Sequence, residues 1–172
     1  MKKLESTWYN MALVLTGIAV VAGAALGYVN NVTAPTIEAR KAQQEKEAEQ
    51  QVLNGQEGTA IKITDPKGFG GALTVMVGLS KDGTILGYKV LESSETPGLG
   101  AKAQDWFQKG QKGDIIGKTA GKLTVSKDGG EVDAITASTI TSRAFLRCIN
   151  AAYDKLSESS DAQSGATVKG ER

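Results

Sequence analysis

The stretch Ala72–Leu91, ALTVMVGLSKDGTILGYKVL, decides the fold class. In its first half Leu73, Val75, Val77 and Leu79 alternate with Thr74, Met76 and Gly78. That period of two puts one row of side chains on each face of a half-buried strand. Asp82 and Gly83 then supply turn chemistry before Thr84–Leu91, so the stretch reads as a β-hairpin. Toward the N-terminus, Ile61 and Ile63 keep the same alternation and predict another strand. Toward the C-terminus, Leu123–Ser126, the turn residues Asp128–Gly130, and Val132–Ile135 predict a second hairpin. The recurrence of SKDG at Ser80 and Ser126 is repeated turn chemistry. Between the hairpins lie the turn-rich segment ETPGLG, Glu95–Gly100, and a short helical segment over Lys102–Lys109 with Trp106 and Phe107.

From Thr139 the period becomes helical. Phe145, Ile149, Ala152 and Leu156 fall on one face, and Arg143, Arg147, Asn150 and Asp154 on the other. Beyond Ser157 the chain has little apolar content, and 157–172 are predicted to be a disordered tail. The sum is an α+β domain over 53–156, a small and mostly antiparallel sheet with packed helices, preceded by one transmembrane helix.

That helix is read from Met11–Val29, MALVLTGIAVVAGAALGYV, within an uncharged window from Ser6 to Ile37. As a helix the run spans about 28 Å, close to the hydrocarbon thickness of a bilayer. Trp8, Tyr9 and Tyr28 flank it where aromatic rings favour the headgroup level. A signal peptide would have a shorter apolar region followed by its cleavage site, whereas here the small residues Ala22–Ala25 interrupt the run, so a retained anchor is predicted. Residues 1–10 then form a short cytoplasmic N-terminus and 30–52 a polar, solvated stalk. Lys2 and Lys3 are balanced by Arg40, Lys41 and Lys46, so the N-inside orientation follows from the long, acidic-interspersed far side, where the charge rule weakens. Ala19, Gly23 and Gly27 repeat at four-residue spacing, a face on which another membrane helix could pack.

Composition removes several function classes. The 172 residues contain no histidine and a single cysteine, which leaves no ordinary ligand set for zinc, haem or a cysteine-bound iron–sulfur cluster. Cys148 is expected to be a small core residue. A net charge of +1, from 20 basic and 19 acidic residues with no aromatic-interleaved basic stripe, argues against nucleic-acid binding. Any redox centre would have to be organic.

The run DAITASTITS, Asp133–Ser142, sets Thr136, Ser138 and Thr139 immediately before the helix. Serine and threonine are the residues that cap helices. The same place offers free backbone N–H groups to an anionic phosphate beside a hydroxyl. At these residues the sequence resembles the FMN-binding domain shared by the G subunit of the Rnf complex and the C subunit of the sodium-translocating NADH:quinone reductase. The family pattern is Asp, two residues, Ser or Thr, then Gly-Ala-Thr, and it maps onto Asp133, Thr136, Ala137, Ser138 and Thr139. Ala137 stands where the family has glycine, and Ser138 where it has alanine. The family's second signature, ETPGLG with a lysine soon after, is met by Glu95, Thr96, Pro97, Gly98, Leu99, Gly100 and Lys102. A histidine often found shortly before it is absent here.

The resemblance implies FMN esterified to Thr139 by a flavin transferase. It implies that Asp133, Thr136 and Ser138 support the attachment motif, and that Glu95, Thr96, Gly98, Leu99 and Lys102 line or shape the pocket. It further implies an electron carrier with no catalytic residue of its own, in a bacterial inner-membrane, ion-translocating ferredoxin:NAD oxidoreductase, among other membrane subunits. The soluble domain would lie on the periplasmic or extracellular side. The alternatives are a subunit of the sodium-translocating quinone reductase, a free-standing tethered flavin carrier, and a non-redox scaffold for a membrane complex.

Overall fold

The structure, a computed structural model, describes residues 8–165, with side chains described as far as Ser159. Helix α1 runs from Trp8 to Leu53 without interruption, so the apolar run and the polar stalk are one helix passing through Pro35. The residues after Pro35 are strong helix formers, which carry the helix past the donor that proline lacks. Among the described residues, α1 is the one helix long and apolar enough to cross a membrane, with a mean hydropathy of 2.1 in its most apolar window and none of that window buried. The chain divides into two compact units between Gln43 and Gln44.

The second unit holds the sheet. Strands β1 (Thr59–Asp65), β2 (Leu73–Leu79) and β3 (Ile85–Ser93) pair antiparallel in that order. The register runs from Thr59 opposite Leu79 to Asp65 opposite Leu73. The β2–β3 turn is closed by the Ser80 N–H on the Thr84 carbonyl and by Gly83 at φ 78°. The hairpin read from Ala72–Leu91 is therefore present.

Helix α3 (Thr139–Gly165) packs on the sheet face that carries Leu73, Val75, Val77 and Leu79. Phe145 of α3 stacks on Phe107 with ring centroids 4.4 Å apart and meets Tyr88 of β3 edge-on at 4.7 Å. Tyr88 is nearly buried, and its hydroxyl accepts the Phe107 N–H and donates to the Ala103 carbonyl. Fully burying one large apolar side chain stabilises a fold by about 1.5–3 kcal/mol, so this aromatic cluster is a main anchor of the domain.

The opposite face of β2 is covered too, contrary to the half-buried strand expected. The last turns of α1, expected to be solvated stalk, bury Ala48 and Val52 against Met76. Close approach is possible because Gly78 and Gly87 have no side chains. A Cβ there would lie 2.4 and 2.8 Å from the Val52 carbonyl oxygen. The Lys62 ammonium also pairs with Glu45 at 2.5 Å.

Two other expectations differ from the structure. Leu123–Ile135 is not a hairpin: Val125 and Val132 form an isolated parallel bridge around a 3-10 turn, Ser126–Asp128. Both valines are buried, and Gly129 takes φ 83°, so the loop folds inward instead of extending. Helix α3 also continues to Gly165, into the segment predicted to be disordered. No helix breaker occurs before Gly165, and a helix already nucleated by packing propagates at little cost. Residues 166–172 of that tail, and most of the N-terminal segment 1–10, lie outside the described residues. The segment Lys102–Lys109 is helical only at its start, as a 3-10 turn (Gly100–Lys102) followed by the short helix α2, Ala103–Trp106.

Candidate functional site

The chain reaches α3 through a tight turn. The Ser138 N–H donates to the Ile135 carbonyl at 3.0 Å, and Ala137, third residue of that turn, has φ 62°. This is the signature of a type II turn, which favours glycine at its third position because an L side chain there crowds the backbone. The family's glycine at this position thus has a conformational reason, and Ala137 adopts the same left-handed geometry under strain. Ser138 is buried, and its carbonyl accepts both the Ser142 N–H at 3.0 Å and the Ser142 hydroxyl at 2.9 Å. The Ser142 oxygen in turn accepts the Ile135 N–H. The turn is thereby locked to the first turn of α3, with Thr139 as its first helical residue.

ETPGLG meets this turn through Glu95. Its buried carboxylate accepts the Phe69 N–H at 2.8 Å on one oxygen and the Thr141 hydroxyl at 2.9 Å on the other. Three segments distant in sequence are tied at one point: the glycine-rich loop 68–71, the loop after β3, and the start of α3. Gly100 fits beneath because a Cβ there would lie 2.4 Å from Glu95 Oε2. Glu95 is therefore a brace, each carboxylate oxygen accepting a hydrogen bond from within the chain.

Above the brace lies a cavity of about 340 Å³ lined by Phe69, Thr96, Leu99 and the run Ala137–Thr141. Its rim is apolar and exposed: Phe69 is 68%, Leu99 40% and Ile140 49% accessible. Exposed apolar side chains around a concavity are a feature of ligand sites, and the volume falls in the usual range for them. The structure thus brings Thr96, Leu99, Ser138 and Thr139 together over Glu95. It does not bring Gly98, Lys102, Asp133 or Thr136 to the cavity wall. Gly98 is an exposed turn glycine at φ 79°, and Thr136 is the exposed second residue of the type II turn. The Asp133 carbonyl accepts the Trp106 indole N–H at 2.8 Å.

Sequence reasoning did not single out Phe69, Ile140, Thr141 or Lys127. Phe69 carries a signal, a large aromatic set among glycines in GFGG. Lys127 carries almost none, being one of two SKDG lysines. Its ammonium donates to the Thr139 hydroxyl oxygen at 3.2 Å. Next to it, Arg143 grips Asp128 with two hydrogen bonds of 2.7 and 2.6 Å. These bonds hold the Asp128 carboxyl below the usual carboxylate range and raise Arg143 further.

A larger depression, about 390 Å³, lies between the end of α1, β3 and α2, with Gln51, Lys89 and Gln108 in its lining. It contains none of the predicted residues. Cys148 is buried, and desolvation pushes its thiol up to about 12, so it is the core residue expected.

Comparison with known proteins gives the site its context. The family model for the FMN-binding domain matches residues 68–154, which include every element of the cavity. The chain belongs to the FMN-binding domain family. The model for the RnfG N-terminal region matches residues 1–52, the greater part of α1. Among relatives, the G subunit of the Na(+)-translocating ferredoxin:NAD(+) oxidoreductase complex of Acetobacterium woodii is 31% identical, across 87% of this chain and 93% of its own length. The G subunit of the ion-translocating oxidoreductase complex of Vibrio atlanticus is 36% identical across 64% of this chain, and that of Escherichia coli 38% across 54%. The matches span 55% and 47% of those two proteins, about half their length.

Proposed function

We propose that this chain is a single-pass membrane electron carrier that holds FMN as a phosphoester of Thr139, in an ion-translocating ferredoxin:NAD oxidoreductase of the Rnf type. The observation that carries the reading is the cavity itself. Thr96 and Leu99 of one family motif and Ser138 and Thr139 of the other, far apart in sequence, face one space with a hydroxyl at its edge. The fit is chemical as well as spatial. A flavin needs an apolar surface for its ring and a cationic, donor-rich place for its phosphate. Phe69, Leu99 and Ile140 supply the first, and the start of α3 with Lys127 the second.

When bound, FMN supplies the one- and two-electron chemistry. The chain's own residues position it. Thr139 fixes the phosphate end, the Glu95 brace keeps the two motif loops against α3, and the apolar rim excludes water from one face of the ring. Asp133 and Thr136, on the exposed approach to the turn, are available to the flavin transferase that makes the ester. Helix α1 anchors the chain among the other membrane subunits, with the FMN domain, residues 53–156, on the outer side of a bacterial inner membrane.

Full-length protein produced with a flavin transferase should fluoresce on a denaturing gel. A dark wild-type band would remove the covalent reading. Protease added outside intact spheroplasts should cleave the domain, and protection until lysis would reverse the orientation.

A further inference from the structure

We infer that Lys127 is the counter-charge of the phosphoester at Thr139, held there by the Asp128–Arg143 pair. The inference rests on the proposed attachment of FMN to Thr139. Lys127 lies in the 3-10 turn Ser126–Asp128, which the buried Val125 and Val132 hold to the domain core. The turn is fixed against α3 by the two-pronged contact of Arg143 with Asp128, and Arg143 stands one helical turn after Thr139. That contact delivers the Lys127 ammonium to the Thr139 oxygen at 3.2 Å. It also satisfies the one carboxylate in the turn. None of the ion pairs among the described residues uses Lys127, so its charge faces the hydroxyl.

A neutral hydroxyl gives a strongly hydrated ammonium little reason to stay at such a place. A phosphodiester does, because it carries one negative charge on its non-bridging oxygens. Attachment forms a bond from Thr139 Oγ1 to phosphorus and breaks the bond from phosphorus to the leaving group of a phosphoanhydride-activated FMN donor. The leaving group departs with the bonding pair, and the hydroxyl proton passes to a base of the transferase. Because Lys127 donates to the Thr139 oxygen, the hydroxyl hydrogen is free to point toward that base. The ammonium then remains beside the anionic ester. Arg143 and Asp128 act through Lys127 and are positioning residues.

The test uses the full chain in detergent, a flavin transferase and its activated flavin donor. Flavin loading is followed by in-gel fluorescence, and the loaded protein by phosphorus NMR. Lys127 is exposed, so solvent screening limits the effect. Lys127→Gln should load about three- to tenfold more slowly, Asp128→Asn should fall between it and wild type, and Lys127→Arg should stay within about twofold of wild type. The phosphorus resonance of loaded Lys127→Gln should move from the wild-type position, while that of Lys127→Arg should stay near it. Wild-type loading rates in Lys127→Gln would overturn the assignment. So would slower loading with an unmoved phosphorus resonance, because Lys127 would then serve the transferase and not the ester. A wild-type chain that takes no flavin would instead remove the attachment on which the inference rests.

Discussion

Replacing Ala137 by glycine is expected to stabilise the domain, although nothing in its side-chain contacts calls for the change. Ala137 is the third residue of a type II turn at φ 62°. A Cβ in the left-handed region costs roughly 1–2 kcal/mol, which glycine does not incur. Glycine returns about 0.4–1 kcal/mol through the greater freedom of the unfolded chain. The net gain is about 0.5–1 kcal/mol. Urea unfolding of the full chain in micelles, followed by near-ultraviolet circular dichroism of the Tyr88, Phe107 and Phe145 cluster, reads this directly. With a slope of about 1–2 kcal/mol per molar, the midpoint should rise by about 0.3–1 M. Asn54→Gly is the control: Asn54 is also left-handed, at φ 46°, but asparagine tolerates that region, so its midpoint should hardly move. Ala137→Val should cost at least about 1 kcal/mol, since β-branching worsens the same strain. A midpoint for Ala137→Gly equal to or below wild type would refute the strain at this turn.

Further predictions concern the scaffold. Gly78→Ala places a methyl group against the Val52 carbonyl and should cost about 1–3 kcal/mol, loosening the end of α1 from the sheet, as hydrogen exchange of Ala48–Leu53 would report. Asp65 is almost fully buried. Burial raises its pKa, but the Arg147 side chain, the Lys67 N–H and the nearby positive charges outweigh that and hold it below the ordinary aspartate value. Its contribution is therefore complete above about pH 5 and is lost as pH falls through the lower folded-state value. Asp65→Asn should destabilise the domain by about 1–2 kcal/mol at neutral pH and flatten this acid-side loss in urea titrations. Cys148 should resist thiol reagents in the folded protein and react at once in urea, and rapid labelling of the native chain would contradict its burial.

The parts legible in the sequence are those written in local periodicity. The alternation in Leu73–Leu79 gave the central strand, and the apolar face of Phe145, Ile149 and Ala152 gave α3. What was not legible depends on close approach between distant segments. Gly78 and Gly87 look like weak strand residues until the end of α1 lies on them. The false hairpin at Leu123–Ile135 had strand-like residues, but Val125 and Val132 are drawn inward by burial and the ladder does not form. Helix α3 runs on as far as Gly165, into the segment expected to be disordered, because helix propagation from a packed segment needs no apolar residues of its own.

At the site, Thr139 and ETPGLG were legible through two motifs. Glu95 was legible as a motif member but not as a brace, since that role needs the Phe69 N–H and Thr141 hydroxyl, remote in sequence. Lys127 was hidden for the same reason. Its partner at Thr139 is set by an ion pair, Asp128 with Arg143, that no short pattern encodes. The glycine position occupied by Ala137 was readable as a departure from the family pattern, and its meaning came only from the backbone angle.

The central claim is tested most directly by peptide mass analysis of the full chain produced with a flavin transferase. Trypsin, cutting after Lys127 and Arg143, releases the peptide 128–143, which contains Thr136, Ser138, Thr139, Thr141 and Ser142. The account predicts that this peptide carries the mass of FMN less one water, that fragmentation assigns it to Thr139, and that Thr139→Ala removes it. An unmodified peptide under loading conditions, or an adduct on Thr136 or Thr141, would contradict it.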